Sequence, residues 1–291
     1  MRTLVALALA LAASPAALHA QQKLDEKRSA AADGSVEIDN QAGSITVIGW
    51  SRSEIAVSGT LGRGAEGLEF SGSPRRTSIS VDTRNPHGVR SDLEIHVPAG
   101  SKVTIDSFAA QIKVSDVTGS VSAETVNGSI AVSGSSREVN VSSVNGAVEV
   151  SGAGKRIHAE SVNGEVTLRG ASGEVAASTV NGQLSVIGAS FERATLETVS
   201  GGLRFEGDFA PRAVVSANTV SGSVEFVMPA SVKADFSISS FSGDIKNEFG
   251  AAAKKVSKWT SEKELTFSTG DGGADVSIET LSGGIELRKR R

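Results

Sequence analysis

One short word recurs along this chain and decides most of what it can fold into. Thr125-Val126-Asn127-Gly128 returns as Ser143-Val144-Asn145-Gly146, Ser161-Val162-Asn163-Gly164 and Thr179-Val180-Asn181-Gly182. It continues as Thr198-Val199-Ser200-Gly201, Thr219-Val220-Ser221-Gly222, Ser240-Phe241-Ser242-Gly243 and Thr280-Leu281-Ser282-Gly283. The glycine spacings are 18, 18, 18, 19, 21, 21 and 40 residues. Degenerate copies stand earlier, at Ser107-Phe108-Ala109-Ala110 and Asn40-Gln41-Ala42-Gly43. A period of this length marks one supersecondary unit stacked on copies of itself.

The flanks keep the same register. Apolar residues fall two and four places after the glycine (Ile130 and Val132, Val148 and Val150, Val166 and Leu168), and seven and five places before it (Val139 and Val141, Ile157 and Ala159, Val175 and Ala177). Polar residues fill the gaps, and such alternation is the signature of a half-buried strand. In one repeat, Val166 and Leu168 are expected to point inward, with Glu165, Thr167 and Arg169 facing water. Each repeat therefore holds two short strands joined by a corner at Asn127-Gly128, Asn145-Gly146, Asn163-Gly164 and Asn181-Gly182, and later at Gly201, Gly222, Gly243 and Gly283. Positive φ at glycine, with Asn tolerating the left-handed region, is the expected reason for this choice.

Asn-Gly also makes tight hairpins, so a meander competes. The columns favour stacking. Three residues before each glycine stands a hydroxyl, from Thr125 to Thr280. In a solenoid these positions repeat every ~4.8 Å and can form a hydrogen-bonded ladder, whereas in a meander they lie two strands apart. The expected fold is all-β: a solenoid, or β-helix, of stacked rungs of 18 to 21 residues.

Composition agrees. Aromatics are 4% and Tyr is absent, so a thin core of Val, Ile, Leu and Ala is expected in place of one filled by large rings. Cysteine is absent, which removes disulfides, thiolate metal sites and a cysteine nucleophile. The net charge of −4 argues against general nucleic-acid binding.

Residues 1–20 read as a signal peptide: Arg2, then apolar Leu4 to Ala13, a break at Ser14-Pro15, and cleavage after Ala20. Export to the periplasm or beyond follows, and no other stretch reaches transmembrane length. Residues 21–34 are expected to be flexible and 35–291 to form one solenoid domain. Within it, the regular rungs span about 103–243, followed by an irregular insertion over 244–275 and a final rung at 276–288. The strands before 103 are irregular, and a short helix near Ala251–Val256 is the one helical segment expected.

The run Val36-Glu37-Ile38-Asp39-Asn40, leading to Gly43-Ser44-Ile45-Thr46-Val47-Ile48-Gly49-Trp50 and then to tandem Thr-Val-Asn/Ser-Gly units, resembles the bacterial putative-adhesin family of unknown function. The resemblance covers residues 35–288. It implies an exported β-helical domain and brings no catalytic residues with it.

Candidate chemistry is sparse. Four places before the glycine runs a partly acidic column: Asp39, Asp106, Glu124, Ser142, Glu160, Ser178, Glu197, Asn218, Ser239 and Glu279. Two carboxylates ~5–9 Å apart serve glycosidic chemistry, and Glu160 and Glu197 would stand at about that range. Alternation of acid with serine reads better as avoidance of stacked like charge. His87, His96 and His158 have no metal-pair spacing. Asp271-Gly272-Gly273-Ala274-Asp275 occurs once, unlike tandem calcium-binding nonapeptides, and reads as a turn.

No catalytic, metal or cofactor site is expected. Lys254, Lys255, Lys258 and Lys263 gather beside Trp259 in an otherwise acidic chain. They form either a cap that protects the open end, with Trp259 buried over the last rung, or a contact for anionic surfaces. The expected function is a non-catalytic exported binding or structural module of the cell envelope, its partner a glycan or a protein. The alternatives are a polysaccharide-active β-helix enzyme and an envelope stress or regulatory component.

Overall fold

The computed structural model describes residues 22–62, 64–83, 89–152 and 154–290. The expected signal peptide and its cleavage point lie outside them, as does His87. The chain is a β-solenoid, and no helix occurs among the described residues.

Each rung contributes one strand to each of two parallel stacks. The first stack runs Lys102–Ser107, Ser120–Thr125, Glu138–Ser143, Arg156–Ser161, then the later parts of Val166–Thr179 and Leu184–Ser200, and then Phe209–Ser221. The second runs Ala109–Ser115, Ile130–Ser133, Val148–Ser151, the early parts of the same two long strands, Leu203–Glu206 and Val224–Pro229. Register is residue for residue: Val121 pairs with Val139, and Val139 with Ile157. The inward columns fill the narrow space between the stacks, and Val103, Val121, Val139 and Ile157 are buried against Ile112, Ile130, Val148 and Val166. Where the spacing lengthens from 18 to 19 and 21 residues, the filling changes. Phe191, Phe205 and Phe226 pack there with ring centroids 5.0 and 4.8 Å apart.

The corner glycines are present for a different reason from the one expected. None of Gly128, Gly146, Gly164 or Gly182 has positive φ; the left-handed residues of these rungs lie at the return corner, at Asp116, Gly134, Gly152 and Gly170. Close stacking imposes the corner glycine. A Cβ on Gly164 would lie 2.0 Å from the Gly146 carbonyl oxygen, and one on Gly146 would lie 1.9 Å from that of Gly128.

The ladder also differs. The hydroxyls do not bond one another: Ser143, Ser161 and Thr179 donate to the carbonyls of Gly128, Gly146 and Gly164 at 2.9, 2.9 and 2.8 Å. The side-chain ladder is made by asparagine, with Asn145 Nδ2 donating to Asn127 Oδ1, Asn163 to Asn145 and Asn181 to Asn163, at 2.9, 2.8 and 2.9 Å. Val166 and Leu168 are buried and Glu165 and Arg169 exposed, as expected. Thr167 points to the outer face yet is covered, its hydroxyl donating to Glu165 Oε1 at 2.8 Å.

Both ends of the stack are built by exchanging rungs. The last rung in sequence, Ala274–Ser282 with Ile285–Arg290, inserts between the rung of Phe209–Ser221 and that of Ala234–Ser242 with Ile245–Asn247. At the other end Ser35–Asp39 and Ala42–Trp50 sit inside Arg76–Thr83 and Ser91–Pro98. The open edges are then covered by antiparallel strands: Ala65–Ser73 on Arg76–Thr83, Glu54–Leu61 on Ser91–Pro98, and Lys263–Thr269 on Ala234–Ser242. Gln22–Ser29, expected as flexible, is a strand paired with Glu54–Leu61, whose edge would otherwise be bare. The segment read as an irregular insertion holds Ile245–Asn247, Lys254–Lys255 and Lys263–Thr269, and Ala251–Val256 is not helical.

Candidate binding groove

Strand alternation places the groove. In the first stack the residues seven and five places before the glycine point inward, the residue four before points outward, the hydroxyl three before turns in, and the apolar residue two before turns out again. The acidic column and the apolar column therefore flank a line of buried hydroxyls and share one side of the solenoid. Backbone bonds carry the apolar line in register: Asn127 N donates to Phe108 O, Asn145 N to Val126 O, Asn163 N to Val144 O and Asn181 N to Val162 O, each at 2.8 Å. The result is an exposed ridge of Phe108, Val126, Val144, Val162, Val180, Val199, Val220, Leu281 and Phe241, rising from 36% exposed at Val126 to 54% at Leu281. Sequence reasoning quoted every one of these residues and missed the ridge, because an apolar residue inside a turn word reads as part of the turn.

The acidic column changes meaning once the rungs are placed. Sequence order puts Asn218 and Ser239 together and Glu279 last. The exchanged rungs set Glu279 between them. In space the column reads Glu124, Ser142, Glu160, Ser178, Glu197, Asn218, Glu279, Ser239, with acid and neutral residues alternating strictly. The carboxylates thus recur every second rung, about 9.6 Å apart. Toward the N-terminal end the alternation breaks, and Asp39 and Asp106 lie side by side next to Glu124. Burial and the neighbouring Asp106 charge push the Asp39 carboxyl above its ordinary value. Near the other end an open cleft of about 640 Å³ is lined by Val180, Val199, Val220 and Phe241 together with Glu197, Asn218, Glu262 and Glu279. Thr198, Thr219 and Thr280 line it with buried hydroxyl oxygens that have no hydrogen-bond partner among the described residues.

Paired-carboxylate chemistry finds little support in this layout. Glu160 faces His158 at 3.1 Å, and the Ser178 rung separates it from Glu197. No group of three or more metal-ligating side chains forms among the described residues. His96 packs against Trp50 in a tilted arrangement, with ring centroids 4.8 Å apart. Asp271 to Gly273 belong to the turn between Lys263–Thr269 and Ala274–Ser282, and Ala274 and Asp275 already pair within the second of these strands.

The model of the Toastrack family, DUF4097, matches residues 35–288. The chain belongs to that family. This Toastrack chain is also similar in fold to three crystal structures described as putative adhesins. That from Parabacteroides distasonis has 11% identity and a TM-score of 0.48, covering 92% of this chain and 97% of the other. That from Parabacteroides merdae has 9% identity and a TM-score of 0.47, covering 91% and 96%. That from Bacteroides fragilis has 10% identity and a TM-score of 0.43, covering 92% and 98%. No curated protein matches.

The lysine cluster of this Toastrack chain is split by the fold. Lys263 is held in an ion pair with Asp244, while Lys254, Lys255 and Lys258 are exposed without an ion partner among the described residues. Trp259, expected to be buried over the last rung, is 94% exposed. Phe249 and Phe267 take the capping role, since Phe267 stacks on Phe236 of the outermost rung at 4.7 Å and Phe249 approaches it at 6.4 Å. Trp259 sits beyond the last paired residue of the hairpin, where no rung remains to cover it.

Proposed function

We propose that this chain is an exported, non-catalytic binding module of the cell envelope, periplasmic or extracellular, that holds an extended cationic polypeptide along its corner groove. The observation that carries the reading is the strict acid–neutral alternation beside an unbroken apolar ridge. Charge avoidance alone explains the alternation. It does not explain an exposed apolar line beside it, because scattered surface apolar residues are ordinary whereas contiguous ones mark an interaction site. Carboxylates call for cations, and the ridge calls for apolar contacts on the same side of the ligand. A polyproline II segment rises ~3.1 Å per residue and returns to the same face every third residue, at ~9.3 Å. That nearly matches two rungs at ~9.6 Å, so a lysine or arginine at every third position would meet successive carboxylates. A glycan ligand would want aromatic platforms, and the groove offers rings only at its ends, Phe108 and Phe241. Export is supported by the Arg2-to-Ala20 leader pattern.

The test compares two peptides with equal numbers of lysines, one repeating Lys-Pro-Pro and one repeating Lys-Pro. The first should bind at least tenfold more tightly at low salt. Glu160→Gln with Glu197→Gln should weaken it by about tenfold, since each removes a charge-assisted contact. Equal affinity for both peptides, or for neither, overturns the ligand assignment. Protein recovered from its producing cells should begin at Gln21, and an intact Met1 overturns export.

A further inference from the structure

We propose that the hairpin tip over residues 254–262 is a foot that docks the C-terminal end of the solenoid on an anionic phospholipid bilayer. This hairpin extends the sheet past the outermost rung: Lys263–Thr269 pairs with Ala234–Ser242, and Lys254–Lys255 pairs in turn with Lys263–Thr269. Its loop is built, with Val256 N donating to Glu262 O at 3.1 Å and Trp259 N to Ser257 Oγ at 3.1 Å. That loop presents Trp259 at 94% exposure and Val256 at 49%. An exposed indole is a costly thing to hold in water, because a tryptophan buries more apolar area than almost any other side chain. At a bilayer interface the same ring is favoured, its apolar body among the upper chains and its N–H in the wet layer.

Charge points the same way. Lys254, Lys255 and Lys258 share this hairpin tip with Trp259 and have no ion partners among the described residues, in a chain whose net charge is −4. Glu262 and Glu264 stand on the opposite arm, with Glu264 in register with Lys254, so the cations dominate the tip and not the whole hairpin. Each lysine near an anionic leaflet strengthens partitioning roughly fivefold, and three of them roughly a hundredfold. Trp259 and Val256 add the apolar insertion that a simple ion-exchange surface lacks. Glu262, at the base of this loop, also lines the corner cleft, whereas Trp259, Val256 and the three lysines do not.

The experiment uses the full mature chain carrying Trp50→Phe, which leaves Trp259 as the reporting indole. At ~20 mM salt, vesicles of phosphatidylglycerol and phosphatidylcholine should shift Trp259 emission to the blue and sediment with the protein. The effect should fade as salt rises, because the Debye length contracts. Lys254→Glu with Lys255→Glu and Lys258→Glu should weaken binding at least a hundredfold without moving the melting temperature. Trp259→Ser should weaken it at least tenfold, and Glu160→Gln with Glu197→Gln should leave it unchanged. Unaltered Trp259 emission on anionic vesicles at low salt overturns the proposal, as does an equal shift on vesicles of phosphatidylcholine alone.

Discussion

The rungs between Gly128 and Gly182 and those beyond Gly182 follow one plan and are held together differently. In the first group each rung is 18 residues, the core is aliphatic, and the corner is tied by asparagine amides outside and by hydroxyl-to-glycine bonds inside. In the second group the corner becomes Ser-Gly and the amide ladder stops. The Thr198, Thr219 and Thr280 hydroxyls lack partners, as Thr125 does at the start of the first group, while Ser240 keeps its bond to the Gly283 carbonyl at 3.2 Å; Phe191, Phe205, Phe226 and Phe209 fill the interior. Corner hydrogen bonds have been exchanged for ring volume. The apolar ridge is also more exposed there, at 43 to 54% over Val199, Val220, Phe241 and Leu281 against 36 to 39% from Val126 to Val180. The half with the weaker corner lines the cleft of about 640 Å³.

The largest effect should break this comparison at its core. Phe205 packs against three other rings, at 5.0 Å from Phe191, 4.8 Å from Phe226 and 5.6 Å from Phe209. Phe205→Ala should cost about 4 kcal/mol in a urea melt, the size expected for a buried ring replaced by a cavity. The equivalent position in the aliphatic half is Val150, and Val150→Ala should cost about 2 kcal/mol. Equal losses would mean that the rings fill space without holding the wider rungs together.

One feature is common to the two halves. A Cβ on Gly164 meets the Gly146 carbonyl at 2.0 Å, and a Cβ on Gly222 meets that of Gly201 at 1.9 Å. Gly164→Ala and Gly222→Ala should therefore cost the same, about 3 kcal/mol each, because backbone on both sides resists displacement. Gly202→Ala is the control. Its nearest neighbour is the Ser223 hydroxyl at 3.8 Å, so it should stay within about 0.5 kcal/mol of the parent. If Gly164→Ala proved mild, the 18-residue rungs would be able to spread at the corner.

The glycine column also marks the limit of what sequence could say. Periodicity of two and a fixed word spacing are local signals, so the strands, the inward columns and the stacking of rungs are legible in the sequence. The cause of the glycine is not, because carbonyl crowding arises between neighbouring rungs, whose corners are 18 or more residues apart in sequence. The exchange of rungs at both ends was equally invisible: nothing near Thr280-Leu281-Ser282-Gly283 states that Ala234–Ser242 lies outside it. That one displacement hid the regularity of the acidic column, and with it the groove. Trp259 was misplaced for a related reason, since an aromatic near a chain end reads as a cap until the register of its hairpin is known.

The smallest predicted effect uses two carboxylates at opposite ends of the solenoid. At Glu225, burial raises the carboxyl pKa, but hydrogen bonds from Arg288 and Arg204 outweigh it and hold the group below its ordinary value. At Asp39, burial and then the Asp106 charge act together and push it above. The two groups should therefore pull stability in opposite directions with pH. Glu225 contributes stability that is present above its unfolded value and lost as acid takes pH down through its lower folded value. Asp39 does the reverse. Above its raised folded value the ionised form is disfavoured in the native state, and as pH falls from there toward its unfolded value the native state binds the proton first and gains stability. Asp39→Asn should remove that gain. It should stabilise the protein slightly at neutral pH, by under about 1 kcal/mol because the carboxylate is only partly withdrawn from solvent, and flatten the profile between the ordinary aspartate value and the raised one. Glu225→Gln should lower stability at neutral pH and have little effect in strong acid. If Asp39→Asn instead destabilised the protein at neutral pH, the ionised Asp39 would have a favourable partner, and the break in alternation at that end would be a binding feature and not a cost.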